Sequence, residues 1–552
     1  MTPSAAADTI ILAGRVLTMV GQDADPHSPT AIVIKGGHIV DLIDVVATSA
    51  WMGEHTAVLD WLDRVVMPGF VDPHAHSEVA SKATHQMVDV RAPGCPDIPS
   101  VLHRLRDEIG AARDGWLVGQ ANLFYDQKLA ERRFPTRDEL DSVSTDLAVA
   151  IRAGGHLSIL NTRALELAGI TADYEAVEYS VTGKPSVARD ASGAPTGVVT
   201  EMDKLIGFPE LSHGEITEAL ESGITQLFTR YGVTTIGEIS DSVDGLRIFD
   251  QAIADRRISS RMVVYLWSPG TVSLEEACAH QDWMTPRAEP DRFRVRGVKV
   301  FADGGYSAKR AALTKPYVDD CHSHGELALS ASEIADIAMQ TRRAGLQLAI
   351  HANGDRAQYA VCEALAGVID DLPPGPTIRI EHAGNFVPDY DALSAAWSAA
   401  GIMPVPQPVF LYNFGEFIPG YVGEYAQNRQ FPFRRMLDDG WNVSGSSDVW
   451  VGSEIGQTNP FLSIASAVGR WTFHHEVMSP DQAVTIYEAL QMHTIGGARV
   501  LGVDDNRGTI EVGKLADVIA LERNPLTAAH EDLRDLVVTD VMVGGARVYQ
   551  LP

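Results

Sequence analysis

What most limits the fold of this chain is a series of short apolar runs spaced through its middle, several of them ending on a polar side chain. The runs cover residues 65–71, 233–239, 262–267, 298–302, 346–351, 377–382, 402–405 and 443–447, each the length of a strand. Helical stretches such as 331–344 and 357–369 separate several of them. Alternation of strands with helices implies parallel strands, because a parallel neighbour is reached only by a crossover. Eight such strands in an α/β chain predict a (β/α)8 TIM-type barrel.

The interval between the first two runs is far too long for one crossover. It predicts an inserted subdomain of loops and helices at about residues 85–205, beside the barrel mouth. The two chain ends share a different style. Thr9-Ile10-Ile11-Leu12, Val16-Leu17-Thr18-Met19 and Ala31-Ile32-Val33-Ile34 lie near the start, and Val518-Ile519-Ala520-Leu521 and Val541-Met542-Val543 near the end. Strand-like runs broken by glycine suggest a small sheet at each end. Residues 1–60 plus 505–552 are therefore expected to form one small β-sandwich-like domain, with the barrel at 61–504. A chain of 552 residues is longer than one compact core usually holds, which agrees with a large unit plus a small one.

The net charge is −29. Such a surface repels phosphate backbones and anionic lipid, so neither nucleic acid nor a membrane is expected as a partner. The four cysteines, Cys95, Cys278, Cys321 and Cys362, are scattered without paired spacing. That suggests neither a disulfide framework nor a thiolate metal site, and fits a reducing cytoplasm. Asp8 and Arg15 interrupt the first apolar run, which lacks the basic start of a signal peptide.

The chemistry begins at Met67-Pro68-Gly69-Phe70-Val71-Asp72-Pro73-His74-Ala75-His76. Alternate residues of a strand project to one face, so His74 and His76 can aim at one point. Imidazole is a common zinc ligand, and catalytic groups collect where barrel strands end. A bare His-x-His is usually two solvated loop residues; the apolar run leading into this one sharpens it. Lys299 interrupts Val298-Lys299-Val300-Phe301, where an unpaired ammonium would be costly. His351, His382 and Asp448 close three further runs. Each alone is most simply a satisfied core or loop residue. Five strand ends carrying such groups in chain order are poorly explained by chance.

These motifs resemble the amidohydrolase superfamily, and within it the group described as YtcJ-like or N-substituted formamide deformylase-like. The resemblance covers almost the whole chain. It rests on residues 67–76, Gly193-Ala194-Pro195-Thr196-Gly197, Val298-Lys299-Val300-Phe301-Ala302-Asp303-Gly304, His351-Ala352-Asn353-Gly354-Asp355-Arg356-Ala357, Arg379-Ile380-Glu381-His382-Ala383, Ser446-Ser447-Asp448 and residues 508–517. It implies that His74, His76 and Asp448 hold a buried metal and that His351 and His382 hold a more exposed one. It further implies that Lys299, carbamylated by carbon dioxide, bridges the two. The implied cofactor is Zn2+, one or two per chain; histidine and carboxylate ligands also accept manganese, iron or cobalt. A metal acidifies its water and polarises a carbonyl, and Asp448 is then the candidate general acid–base. A homodimer is compatible with the resemblance.

The expected activity is hydrolysis of a carbon–nitrogen bond in a small N-substituted amide or formamide. Hydrolysis of a cyclic amide, carbamate or ester stays open, and so does deamination on the same fold. Deaminases of the superfamily commonly carry a glutamate three residues after the histidine of strand five, where this chain has Gly354. A non-catalytic regulatory relative would be expected to have lost ligands. His156 and Asn161, in a family motif of the inserted region, either contact the substrate or stabilise a loop. Glu201 and Glu238 either face the pocket or make ordinary hydrogen bonds. Trp450, Phe410, Tyr412 and Phe414 either wall an apolar subsite or pack in the core. Asp303, Arg310, Asp355 and Arg356 are expected to brace loops. His322, His324 and His474-His475-Glu476 are expected to be solvated.

Overall fold

The structure is a computed structural model and describes residues 6–22, 28–177, 184–426 and 428–552. Residues 178–183 of the expected insertion lie outside the described residues. Among the described residues no helix is long and apolar enough to cross a membrane.

Seven parallel strands form the central sheet in chain order: Phe70–Ala75, Val233–Ile239, Arg261–Trp267, Phe293–Phe301, Gln347–His351, Arg379–Glu381 and Met403–Val405. Every residue of the second and third strands is buried, as expected for a parallel sheet covered on both faces. The eighth run differs from expectation. Residues 443–449 form no regular strand. Their backbone bonds are spent elsewhere: Gly445 N–H donates to Met492 O and Ser447 N–H to the Asp72 carboxylate. The segment still closes the curl against the first strand, with Asp448 N–H donating to His74 O (2.8 Å) and His76 N–H to Val449 O (3.1 Å).

The expected first run, 65–71, is also divided. Val65–Pro68 ends the long strand Ala57–Pro68, which pairs with Val518–Leu521; the barrel strand starts only at Phe70. Gly69 is the joint. Its N–H donates to Asp517 O, and its α-carbon sits against Thr234, where a side chain would not fit. Strand Ala57–Pro68 belongs to a seven-stranded mixed sheet built from both ends of the chain. That sheet curls until Ile39 on its edge strand bonds Lys514 O and Gly513 N–H.

A third sheet, of six strands, lies between Val88 and Thr200 and encloses its own core around Val90, Ile98, Leu105, Leu117 and Ile151. Its loops carry Leu123, Gly154, Gly155 and His156 to the barrel mouth.

Arg261, buried at the start of the third barrel strand, clamps Asp517 of the terminal sheet with two hydrogen bonds of 2.7 and 2.9 Å and reaches Asp291 as well. Removing one partner of a buried pair leaves a charge with no compensation. Arg261→Leu is therefore expected to lower stability by about 3–5 kcal/mol, read from urea unfolding. A loss well under 1 kcal/mol would mean that the two sheets are held together elsewhere.

Candidate metal centre

The first barrel strand runs straight into the site. His74 and His76 share a face, and His76 caps the helix Ser77–Gln86. The first turn of that helix is anchored by Glu238, whose carboxylate accepts from Ser77 N–H (2.7 Å), Ser77 Oγ (2.5 Å) and Glu78 N–H (3.1 Å). Glu238 thus bonds the backbone beneath His76 rather than facing the pocket. Burial lifts its carboxyl to about 8.

Donor atoms from both ends of the chain meet above this strand. His74 Nε2 lies 3.3 Å and His76 Nε2 3.5 Å from Asp448 Oδ1, and one ligand atom from each residue falls within 4.8 Å of the others. Ligands of a tetrahedral zinc at about 2.0–2.2 Å stand roughly 3.3–3.5 Å apart, so the spacing suits such an ion. His74 Nε2 is buried and has no hydrogen-bond partner, which leaves its lone pair available. His382 Nε2 is 3.0 Å from His351 Nδ1 and 4.0 Å from Asp448 Oδ2. Lys299 Nζ reaches the same cavity, over the ring of Phe301 at 4.5 Å. All six expected ligands are therefore brought together, although only His74, His76 and Asp448 form a tight cluster.

The electrostatics favour binding. Burial, assisted by the Lys299 ammonium, holds His74 and His76 far below the usual imidazole range; burial and His382 do the same for His351. His382 is pushed down to about 3, chiefly by burial. Neutral imidazole is the ligating form. Burial lowers Lys299 to about 8 and raises Asp448 to about 7. His382 and Asp448 also adopt left-handed backbone, with φ of 73° and 44°. Such conformations cost energy and cluster at functional sites.

The cavity above these groups measures about 70 Å³ and is walled by Leu123, Gly155, His156, Phe301, Trp450 and every candidate ligand but His74. His156 Nδ1 lies 2.9 Å from Glu201 Oε2. Burial disfavours the imidazolium, but the Glu201 carboxylate outweighs it and raises His156 above its ordinary value. Glu201 is buried behind His156 and does not reach the cavity. Asn161 does not reach it either, contrary to a substrate-binding role. Its oxygen caps the helix Thr162–Leu167 at Ala164 N–H and accepts from Val149 N–H, while its amide donates to Ser144 O and Leu147 O. Every polar atom of Asn161 is engaged. Trp450 stands edge-on to His76, with ring centroids 3.9 Å apart. A Cβ at Gly155 would lie 2.6 Å from Trp450 Nε1, so only glycine lets the indole seat there.

The remaining candidates lie elsewhere. Phe410 and Phe414 are buried and stack on His382 and Phe124. Tyr412 packs near Phe473. His474 bonds Glu416, and His324 faces Leu313 O. Asp303 braces loops through three backbone N–H groups, those of Ala312, Asn353 and Gly354, rather than through an ion pair.

Two side chains behind the ligands went unassigned in the sequence. Glu381 Oε2 lies 2.5 Å from His74 Nδ1, and Gln407 Oε1 lies 2.7 Å from His382 Nδ1. Glu381 carried a signal, since it and Arg379 place two charges on a three-residue strand that is wholly buried. Gln407 lies past the end of its strand and carried none.

The profile described as the amidohydrolase family matches residues 57–549. The chain is 29% identical over 558 residues to an N-substituted formamide deformylase of Arthrobacter pascens, with 98% of each chain covered. It is 25% identical over 584 residues to the protein LONG AFTER FAR-RED 3 of Arabidopsis thaliana, covering 100% of this chain and 93% of that one. Its fold matches the crystal structure of an uncharacterized metal-dependent hydrolase from Pyrococcus horikoshii, with a TM-score of 0.72 at 24% identity over 95% of this chain and 99% of that one.

Elemental analysis of protein prepared with zinc is expected to find at least one ion per chain, lost in His76→Ala and Asp448→Ala. His474→Ala should leave the content unchanged. Full metal content in both site variants would remove these residues from the ligand set.

Proposed function

The chain belongs to the amidohydrolase family, and we propose that it is a zinc-dependent hydrolase of a small N-substituted amide, a formamide above all. The observation that carries this reading is one chamber of about 70 Å³ lined by five of the six metal-donor candidates and by a histidine biased toward its cation. Ligand pockets commonly measure about 300–1,000 Å³. A chamber this small suits a compact acyl group with the remainder of the substrate outside it. The formamide-cleaving relative supports the same size class.

His74, His76 and Asp448 would hold one ion, His351 and His382 a second. A divalent ion there supplies an acidified water and polarises the substrate carbonyl. Lys299, lowered to about 8, offers enough neutral amine to attack carbon dioxide; the carbamate that forms, with release of one proton, would join the two positions. Asp448, raised to about 7, can accept the water proton and return it to the leaving nitrogen. His156, held by Glu201, donates toward the carbonyl oxygen as charge gathers on it. Trp450 and Phe301 form the apolar wall.

The glutamate that deaminases of the superfamily commonly carry would stand at residue 354. A Cβ there would lie 1.8 Å from Ala312 O, so the backbone leaves no room for one.

A screen of N-substituted formamides and larger acyl amides, with and without chelator, tests the reading. Chelator-sensitive turnover is expected to fall as the acyl group grows. Asp448→Asn should reduce kcat by about 10²–10⁴-fold, and His156→Ala by roughly 10²–10³-fold. Stoichiometric metal with no amide cleavage would redirect the assignment to cyclic, ester or deamination substrates.

A further inference from the structure

We propose that Arg379 and Glu381 form a positioning pair that sets the tautomer of His74 and thereby the affinity of the site for its metal. The inference rests on the metal-site reading above, but not on any substrate. Arg379 and Glu381 lie two apart on the sixth barrel strand, so both project to the same face. That face meets Tyr265 of the third strand, whose ring lies 4.0 Å under the guanidinium and whose hydroxyl donates to Gln347 Oε1.

Glu381 and Arg379 are both fully buried, with Arg379 Nε 2.5 Å from Glu381 Oε1. Barrel interiors are ordinarily filled by branched apolar side chains. A buried ion pair stabilises a fold no better than apolar residues of the same volume, because desolvation offsets the attraction. Stability alone is therefore a poor account of this one.

Its contacts supply another. Glu381 Oε2 is 2.5 Å from His74 Nδ1. An ionised carboxylate only accepts hydrogen bonds, so Nδ1 carries the proton and Nε2 is left with its lone pair. Nε2 is the atom that faces Asp448 and has no other partner. Arg379 faces the other oxygen of the same carboxylate, Oε1. Through Nη2 it also bonds Pro73 O at 3.2 Å, so it holds the backbone of the histidine strand itself. His76 has no such support: its buried Nδ1 lacks a hydrogen-bond partner. The orienting load of the His-x-His motif thus falls on His74 and on the pair beneath it.

The test uses full-length protein stripped of metal and titrated with zinc against a chromophoric chelator, with unfolding of the apo form measured in parallel. Glu381→Gln keeps the shape but can turn its NH2 toward Nδ1 and favour the wrong tautomer. It is expected to bind zinc roughly 10–100-fold more weakly, the usual cost of losing a partner that orients a ligand, with apo unfolding close to wild type. Arg379→Met should weaken both zinc binding and the fold. The double variant Arg379→Met/Glu381→Met should recover apo stability yet stay weak for zinc, a separation that a packing role alone would not produce. Wild-type zinc affinity in Glu381→Gln, or recovery of affinity together with stability in the double variant, would overturn the proposal. Failure of the wild-type chain to bind zinc would overturn it along with the metal site, whereas zinc binding without amide cleavage would remove only the proposed substrate.

Discussion

Everything at the centre depends on how the barrel closes. Residues 443–449 do not add a regular strand; they meet the first strand through Asp448 N–H to His74 O and His76 N–H to Val449 O. Those two bonds carry the aspartate from near residue 450 to the histidines near residue 75. With Gly445 N–H committed to Met492 O and Ser447 N–H to the Asp72 carboxylate, the segment's register against the first strand has little freedom. Shifted by one residue, Asp448 would face away from the histidines, because strand faces alternate.

The same closure concentrates polarity that a core would reject. Lys299, Glu381 and Arg379 are buried together with four histidines, and Asp448 is half-buried beside them. Burial pushes the lysine and the aspartate toward their neutral forms and keeps the imidazoles unprotonated. Left-handed backbone at His382 and Asp448 adds strain at the same place. Energy stored in this way persists only where the surroundings over-determine it. Here the surroundings are the seven-stranded curl, the helix anchored by Glu238 and the clamp between Arg261 and Asp517.

Much of this was legible in the sequence because polar side chains at the ends of apolar runs are conspicuous. His74, His76, Lys299, His351, His382 and Asp448 stand out in that way, and the structure gathers all six. The runs themselves were readable as parallel strands because residues buried on both faces leave near-continuous apolar stretches. Boundaries were less readable. In Val65-Val66-Met67-Pro68-Gly69-Phe70 the Pro68-Gly69 step marks the break, but the halves on either side are equally apolar and do not show that they belong to different sheets. Residues 443–449 looked like a strand because their inward polar groups are small serines. The motif around Asn161 left a substrate contact and a structural role equally open, because capping is a property of the backbone around it, which a motif does not display. Gln407 was invisible because its role depends on a histidine 25 residues away.

The inserted sheet builds the roof over the barrel mouth. Leu123 N–H bonds Gly452 O, Gln120 Nε2 bonds Val451 O and Arg91 Nη1 bonds Ser453 O, so the inserted sheet grips the loop that follows Asp448. Trp450 rides on that loop and is seated against Gly155 of the insertion. One indole thus borders the small inner chamber and also a larger outer cavity of about 390 Å³ lined by Phe208, Leu211 and Met87. The metal-binding groups come from the barrel, while chamber size comes from contacts between the insertion and a single loop. Change in those contacts can enlarge or divide the chamber without moving a ligand atom, which is how one fold accommodates many substrates.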